Sequence, residues 1–135
     1  MALSDVSNIL WRERQLLELL VFKLEEEHLL LAVANTRWLP RATREVEVVV
    51  EQLRQVELRR ALTVDATAAS LGLGSDPTLA QLADVVPGAW AGLLRDHRTA
   101  FLALTREVQE CAEANKAMLA QGYRTAREGL VVLTG

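Results

Sequence analysis

Residues 16–31 read LLELLVFKLEEEHLLL, and this stretch decides how the chain folds. It lies within a longer pattern in which every seventh residue is apolar. The members of this series are Leu3, Leu10, Leu17, Leu24, Leu31 and Trp38. An apolar repeat of seven keeps one face of an α-helix turned toward its neighbours. The pattern therefore predicts a long amphipathic helix at the start of the chain.

A second series, offset by half a step, mixes apolar and charged residues. Val6, Leu20 and Ala34 are apolar, whereas Glu13 and Glu27 occupy the same series and interrupt it. Further apolar residues widen the stripe on either side, namely Leu16, Val21 and Leu30. Such a stripe is too wide for one coiled-coil seam. We therefore expect this helix to pack against two partners, as in a helical bundle.

Composition indicates one domain without disulfides. The chain has 135 residues, half of them apolar, which is enough for a hydrophobic core. Cys111 is the only cysteine, so no internal disulfide can form and a reducing compartment is expected. The first residues lack the basic and apolar regions of a secretory signal. No apolar run approaches the ~20 residues that span a bilayer. We expect a cytoplasmic protein that does not insert directly into a membrane.

Charge argues against a nucleic-acid partner. The formal net charge is −3, and acidic and basic residues are mixed along the chain. A nucleic-acid-binding domain usually carries a basic patch or stripe, because it must neutralise phosphates. We expect no nucleic-acid binding.

Breaks in the apolar pattern divide the chain. Ser4 is the expected N-cap of the first helix. Pro40 predicts a break or sharp kink between Asn35 and Pro40, with Pro40 in the first turn of the second helix. Gly72 suits a helix C-cap, Asp76 followed by Pro77 suits the N-cap and first turn of a short helix, and Pro87 ends that helix.

The predicted fold is all-α. It is an elongated antiparallel helical bundle or coiled coil of three long helices plus a short helical insert, forming one domain over residues 1–135. The predicted helices cover residues 4–35, 40–71, 77–86 and 89–133 approximately.

The last predicted helix has two apolar faces in succession. Its first part has an inner face of Trp90, Leu94, His97, Phe101, Leu104, Val108, Cys111, Asn115 and Met118. From there the apolar face shifts to Leu119, Tyr123, Ala126, Leu130 and Leu133. A helix this long outruns helices one and two. Its uncovered apolar end predicts a docking surface for another helix, unless the end packs on the 71–86 insert or frays.

Asn115 interrupts the inner face of the last helix. One buried asparagine can fix register between helices at some cost in stability. The alternative is that Asn115 faces a partner together with the apolar end. Both interpretations are open at this stage, and we include Asn115 among the candidate partner-binding residues.

No motif predicts catalysis or a metal. Glu25 and His28 have the spacing of a di-iron ligand pair, but His97 has Leu94 three residues before it, so a second pair is missing. His97 is expected to be a hydrogen-bonded core or boundary histidine. Cys111 has no basic neighbour within one helical turn to activate its thiol. We expect no catalytic residues, no metal and no cofactor.

The ordered motifs of the chain resemble the FlgN family of flagellar export chaperones. The resemblance covers nearly the whole chain. It is carried by residues 13–20 and 22–27, by ELRR at 57–60, by LGL at 71–73, by LAQLA at 79–83 closed by Pro87, and by NKAML at 115–119.

The resemblance implies a small all-α cytoplasmic chaperone. Family members bind the hook-filament junction proteins FlgK and FlgL before export and present them to FlhA, the cytoplasmic part of the export gate. The family uses its C-terminal helix for client binding. Chaperones of this class also tend to offer an exposed aromatic residue to the gate, and Tyr123 is the candidate here by type and location.

A different class remains as the alternative. A helical coiled-coil structural or adaptor protein would act by self-association through the stripe of helix one. The mass of the free protein as a function of concentration would separate the two. A stable homo-oligomer that buries the C-terminal stripe favours the adaptor, and a monomer that captures a client helix favours the chaperone. A homo-oligomer is possible.

Leu24→Asp tests the predicted inner face. The substitution places a charge where two neighbouring helices are expected to pack, so the protein should unfold or become molten. Circular dichroism during thermal melting measures this directly. A variant as stable as the parent protein would show that the inner face was assigned incorrectly.

Overall fold

The computed structural model describes residues 2–134, and within them it contains four helices and no strand. The helices are α1 (Ala2–Ala32), α2 (Leu39–Ser70), α3 (Leu79–Val85) and α4 (Gly88–Thr134). The prediction of an elongated all-α fold is confirmed.

Helix α1 occupies the centre of the bundle, because both other long helices pack against it. Contacts to α2 join Glu13 to Arg60 and Lys23 to Glu45, so these two helices are antiparallel. Contacts to α4 join Arg14 to His97 and, further along both helices, His28 to Asn115, so α1 and α4 are parallel. The expectation that the wide stripe of α1 packs against two partners is confirmed.

The core consists of two hydrophobic clusters along α1. The first, near the start of α1, includes α3 and the beginning of α4; its buried members are Val6, Leu10, Val64, Leu82, Ala83, Ala91 and Leu94. The second lies mainly between α1 and α2; its buried members are Leu16, Leu20, Leu24, Val49, Leu53 and Val56. Leu24, at the centre of the decisive stretch, is 4% exposed.

Glu13 is buried between these clusters, although its charge interrupts the sequence pattern. Nη1 of Arg60 donates to both carboxylate oxygens of Glu13, at 2.7 and 2.9 Å. Burial raises the pKa of Glu13, and the positive charge and hydrogen bond of Arg60 only partly oppose this. Nearby Glu57 raises the same pKa further. A charge can thus occupy the seam because α2 supplies its counter-ion.

The connection between α1 and α2 is a tight turn with a left-handed alanine. The amide of Ala34 donates to the carbonyl of Leu31 at 3.1 Å, and the amide of Asn35 donates to that of Leu30 at 2.9 Å. These two bonds form a Schellman motif, which requires a left-handed residue. Ala34 takes that conformation with φ of 51°. The motif ends α1 at Ala32, before the predicted residue 35, and Pro40 lies in the first turn of α2.

Glycine performs the same task at the end of α2. Gly72 has φ of 76°, and the amide of Leu73 donates to the carbonyl of Ala68 at 2.9 Å. The predicted cap at Gly72 therefore agrees with the structure.

Two predicted N-caps are wrong. Helix α1 begins at Ala2, so Ser4 lies within its first turn. The strong helix formers before Ser4 extend the helix past it. Helix α3 is capped by Thr78, whose hydroxyl accepts from the amide of Gln81 in a capping box, so Asp76 is not its cap. The amide of Asp76 instead donates to Asp65, which ties the connection to α2.

Exchanging the residues at the two Schellman positions tests this description. Ala34→Gly should stabilise the protein by about 1 kcal/mol, because glycine removes the left-handed strain of alanine. Gly72→Ala should destabilise it by a similar amount, because a Cβ at Gly72 meets nothing within 4 Å and only the backbone conformation opposes it. Urea unfolding measures both. A loss of stability in Ala34→Gly would contradict the assigned turn.

Candidate partner-binding surface

Two polar contacts show how α4 is aligned along α1. Nη1 of Arg14 lies 3.3 Å from Nδ1 of His97, and Nδ1 of His28 lies 2.9 Å from Oδ1 of Asn115. The two helices are therefore parallel, and the level of residue 28 in α1 corresponds to the level of residue 115 in α4. Because α1 ends at Ala32, it supplies no residue to cover α4 much beyond Met118.

The remainder of α4, residues 119–134, is called the tail. Each of its residues is exposed, and the helix continues through them to Thr134. At 1.5 Å per residue the tail extends about 24 Å past the bundle. The predicted mismatch in length between α4 and its packing partners is present in the structure.

The predicted apolar residues of the tail lie on one exposed face. They are Leu119, Tyr123, Ala126, Leu130 and Leu133, at alternating steps of four and three residues. Leu130 is 60% exposed and Leu133 is 83% exposed. Apolar side chains with this spacing form the kind of stripe that packs against another helix. Within residues 2–134, the structure places no other element over this stripe.

The 71–86 insert does not cover the tail. Leu82 and Ala83 of α3 pack with Ala91 and Leu94, in the first turns of α4. The tail lies at the opposite end of that helix. The sequence alternative in which the insert buries the tail is therefore wrong, because α3 directly precedes α4 and packs where α4 begins.

Basic side chains accompany the apolar stripe. Arg124 and Arg127 line a shallow cleft with Glu128, Val131 and Val132. The guanidinium of Arg127 lies 6.0 Å from the centre of the Tyr123 ring. Tyr123 is 67% exposed, so its ring remains accessible from solvent.

Asn115 is buried, unlike the residues of the tail, which are exposed. Its Nδ2 donates to the carbonyl of Leu24 and to Oε1 of Glu27, both at 2.9 Å. Its Oδ1 accepts from Nδ1 of His28. All three partners belong to α1, and Asn115 is 2% exposed. The geometry supports the interpretation that Asn115 joins α4 to α1, and we omit it from the exposed surface.

The same contacts account for Glu27 and His28. Glu27 also accepts from the hydroxyl of Thr43 at 2.8 Å, so its buried carboxylate links α1 to both neighbouring helices. His28 turns toward α4, whereas Glu25 is exposed, so the pair that resembled a di-iron motif is divided. Among the described residues, no three metal-ligating side chains come close enough to hold an ion.

His97 is a fully buried histidine between α1 and α4. Its ring lies edge-on to Trp11 with centroids 4.8 Å apart, and Phe101 stacks on it at 6.3 Å. Because Nδ1 accepts from Arg14, the ring proton lies on Nε2. Burial lowers the pKa of His97, and the charge of Arg14 lowers it further. Both effects favour the neutral form of the ring. The side chain lies in the core, as the sequence predicts.

The thiol of Cys111 is free and half-buried on α4. Burial raises its pKa, and the negative charges of Glu25 and Glu27 raise it further. A raised pKa lowers the fraction of reactive thiolate.

Sequence reasoning missed a second exposed apolar face, on α1. Phe22 is 56% exposed, Leu29 is 67% exposed and Val33, which follows the helix, is 71% exposed. They lie away from the seam that contains Leu20 and Leu24. The acidic residues between them are a sequence signal that this face lies outside the core of the chain.

A family model described as FlgN protein matches residues 1–135. The chain belongs to the FlgN family. The resemblance seen in the sequence is thereby confirmed, and the chain is assigned to the flagellar export chaperones. No curated protein and no solved structure matched the chain. Over residues 2–134, this FlgN-family structure has no helix with the length and apolarity needed to cross a bilayer.

Asn115→Asp tests the structural role of Asn115. The new carboxylate would lie where Nδ2 now donates to Glu27, so two buried negative charges would meet. We expect a loss of roughly 3–5 kcal/mol at neutral pH, and partial recovery in acid as one carboxyl takes up a proton. Thermal unfolding across a pH series measures this.

Asn115→Ala is the control for that variant. It removes the hydrogen bonds without adding charge, so it should cost about 1–3 kcal/mol and show less recovery in acid. If both variants were fully stable but failed to bind a client, Asn115 would face the partner instead.

Proposed function

We propose that this FlgN-family chain is a cytoplasmic chaperone that binds the hook-associated proteins FlgK and FlgL through its tail and delivers them to FlhA. The observation that carries this proposal is the uncovered apolar stripe of the tail. The tail continues α4, whose earlier part packs against the amphipathic helix α1. The tail is therefore suited to bind an amphipathic helix of a client in a similar way.

The proposed binding surface is independent of the folding core. The nearest fully buried residue of α4 is Asn115, and both hydrophobic clusters involve only residues before the tail. A client can therefore bind the tail without opening the bundle. In the proposed mechanism, the tail covers the apolar face of the client segment. Because that face is covered, the client cannot assemble prematurely.

Delivery to the gate is assigned to Tyr123 as a proposal. Its ring is accessible and carries a hydroxyl that can hydrogen-bond while the ring packs against apolar groups. The client-binding residues of the tail in this proposal are Leu119, Ala126, Leu130 and Leu133, with Tyr123 available to the client or the gate.

The adaptor alternative receives less support from the structure. In that alternative the stripe of helix one mediates self-association. Leu10, Leu20 and Leu24 of this stripe are buried inside the chain, against its own helices. They are therefore not available to a second molecule. We also expect no catalysis, given the raised pKa of the Cys111 thiol.

Removing the tail should separate folding from binding. A chain that ends after Met118 should keep most of its helical signal and melt cooperatively, because it retains both hydrophobic clusters. It should fail to co-purify with FlgK or FlgL. Full-strength binding by the truncated chain would place the client surface elsewhere.

Leu130→Asp tests the stripe within the intact chain. Loss of one apolar anchor should weaken client binding by about 1–3 kcal/mol, measured by calorimetry with FlgK or FlgL. Leu58→Asp on α2 is the matched control, because Leu58 is 67% exposed and lies outside the tail. Equal weakening by both variants would contradict the proposal. Binding of Tyr123→Ala to a client and to the cytoplasmic part of FlhA, measured side by side, shows which of the two partners Tyr123 contacts.

A further inference from the structure

The acidic outer face of α1 lacks a covering element in the described structure. Its apolar members Phe22, Leu29 and Val33 are all more than half exposed. Glu18 and Glu25 lie between and beside them and are also exposed. An exposed apolar stripe on a soluble helix indicates an interaction surface. Its acidic flanks favour a partner with basic residues beside its own apolar stripe.

The tail carries basic residues beside its apolar stripe, and its apolar residues have the spacing of the outer face of α1 read in the opposite chain direction. Its anchors Leu119, Tyr123 and Leu130 are separated by steps of four and then seven residues. On the outer face, the steps back from Val33, just after α1, to Leu29 and then to Phe22 are also four and seven.

Antiparallel alignment therefore pairs three sets of apolar residues at once. Leu119 meets Val33, Tyr123 meets Leu29, and Leu130 meets Phe22. In the same register Arg127 meets Glu25. Residues 119–134 of the tail align with residues 18–33, which are the second half of α1 and the residue after it, so the two segments have equal length.

The tail cannot reach the outer face of its own α1. The two helices are parallel, and the tail points away from the bundle past the turn at Ala34. A second copy in the inverted orientation removes this obstacle, because its α1 then runs antiparallel beside the tail. The arrangement is reciprocal: each copy supplies one tail and one outer face. Such a two-fold interface is closed and does not continue into a filament.

We propose that two copies of this chain form a reciprocal dimer in which each tail lies antiparallel on the outer face of the partner's α1. The dimer covers both of the exposed apolar stripes described above. Where the tail also binds a client, which rests on the proposed function, dimer and client compete. The free protein is then the dimer, and the loaded protein contains one chaperone and one client.

The dimer is tested on the purified full-length chain alone, by sedimentation equilibrium over a wide concentration series. We expect a monomer–dimer equilibrium. Phe22→Asp should raise the dissociation constant at least about tenfold, the effect of losing one buried anchor. Leu58→Asp, at an exposed leucine on α2, should leave it unchanged. A monomer at all concentrations, or equal effects of the two variants, overturns the proposal.

Charge exchange tests the register. Glu25→Arg and Arg127→Glu should each weaken the dimer, because each places like charges opposite one another. The double variant Glu25→Arg/Arg127→Glu restores the pair and should recover dimerisation. Failure of the double variant to recover any association would rule out this register.

Client binding distinguishes this inference from the proposed function. Phe22→Asp should bind FlgK or FlgL at least as tightly as the parent, because its tail is no longer covered. Dimerisation without client binding would support the dimer and refute the client site. Client binding by a chain that is monomeric at all concentrations would do the reverse.

Discussion

The structure depends on the packing of α1 against two helices at once. Helix α1 buries leucines toward α2 and toward α4, whereas α2 and α4 make few contacts with each other. Burial of a leucine side chain contributes roughly 1.5–3 kcal/mol, so this shared face supplies most of the force that holds the bundle together. Any change in α1 therefore affects both interfaces.

The position of α4 along α1 links this packing to function. His97 and Asn115 each meet a polar side chain of α1, and buried polar groups that must be paired tolerate little sliding between helices. Once this alignment is set, the early end of α1 at Ala32 leaves the last sixteen residues of α4 without a partner from α1. The left-handed turn at Ala34 thus determines where the accessible apolar surface begins.

The helical architecture could be predicted because the sequence repeats its apolar pattern over many turns. Leu10 and Leu24 come from the seven-residue series and are buried as expected, and the unpaired end of α4 follows from helix lengths. The choice between neighbouring candidate N-caps was harder to predict. Asp76 before Pro77 is a good cap in isolation, but Thr78 has Gln81 at the position that completes a capping box.

Features that depend on partners distant in sequence could not be predicted. Glu13 and Glu27 interrupt the pattern, and their burial depends on Arg60, Thr43 and Asn115, which only the fold brings near. The outer face of α1 was missed for a related reason. Phe22 lies two residues from both Leu20 and Leu24, and only the positions of α2 and α4 show which of these apolar residues remain outside.

Hydrogen exchange along α4 tests most directly the claim that this helix divides into a folded part and a binding part. It should be measured by mass spectrometry on dilute protein, with and without a hook-associated client. In the free chain, amides around Leu94 to Val108 should be protected by the global stability of the bundle, and amides of residues 119–134 should exchange much faster. Addition of the client should slow exchange in the tail. Equal protection of both parts in the free chain, or protection by client confined to other helices, would contradict the account.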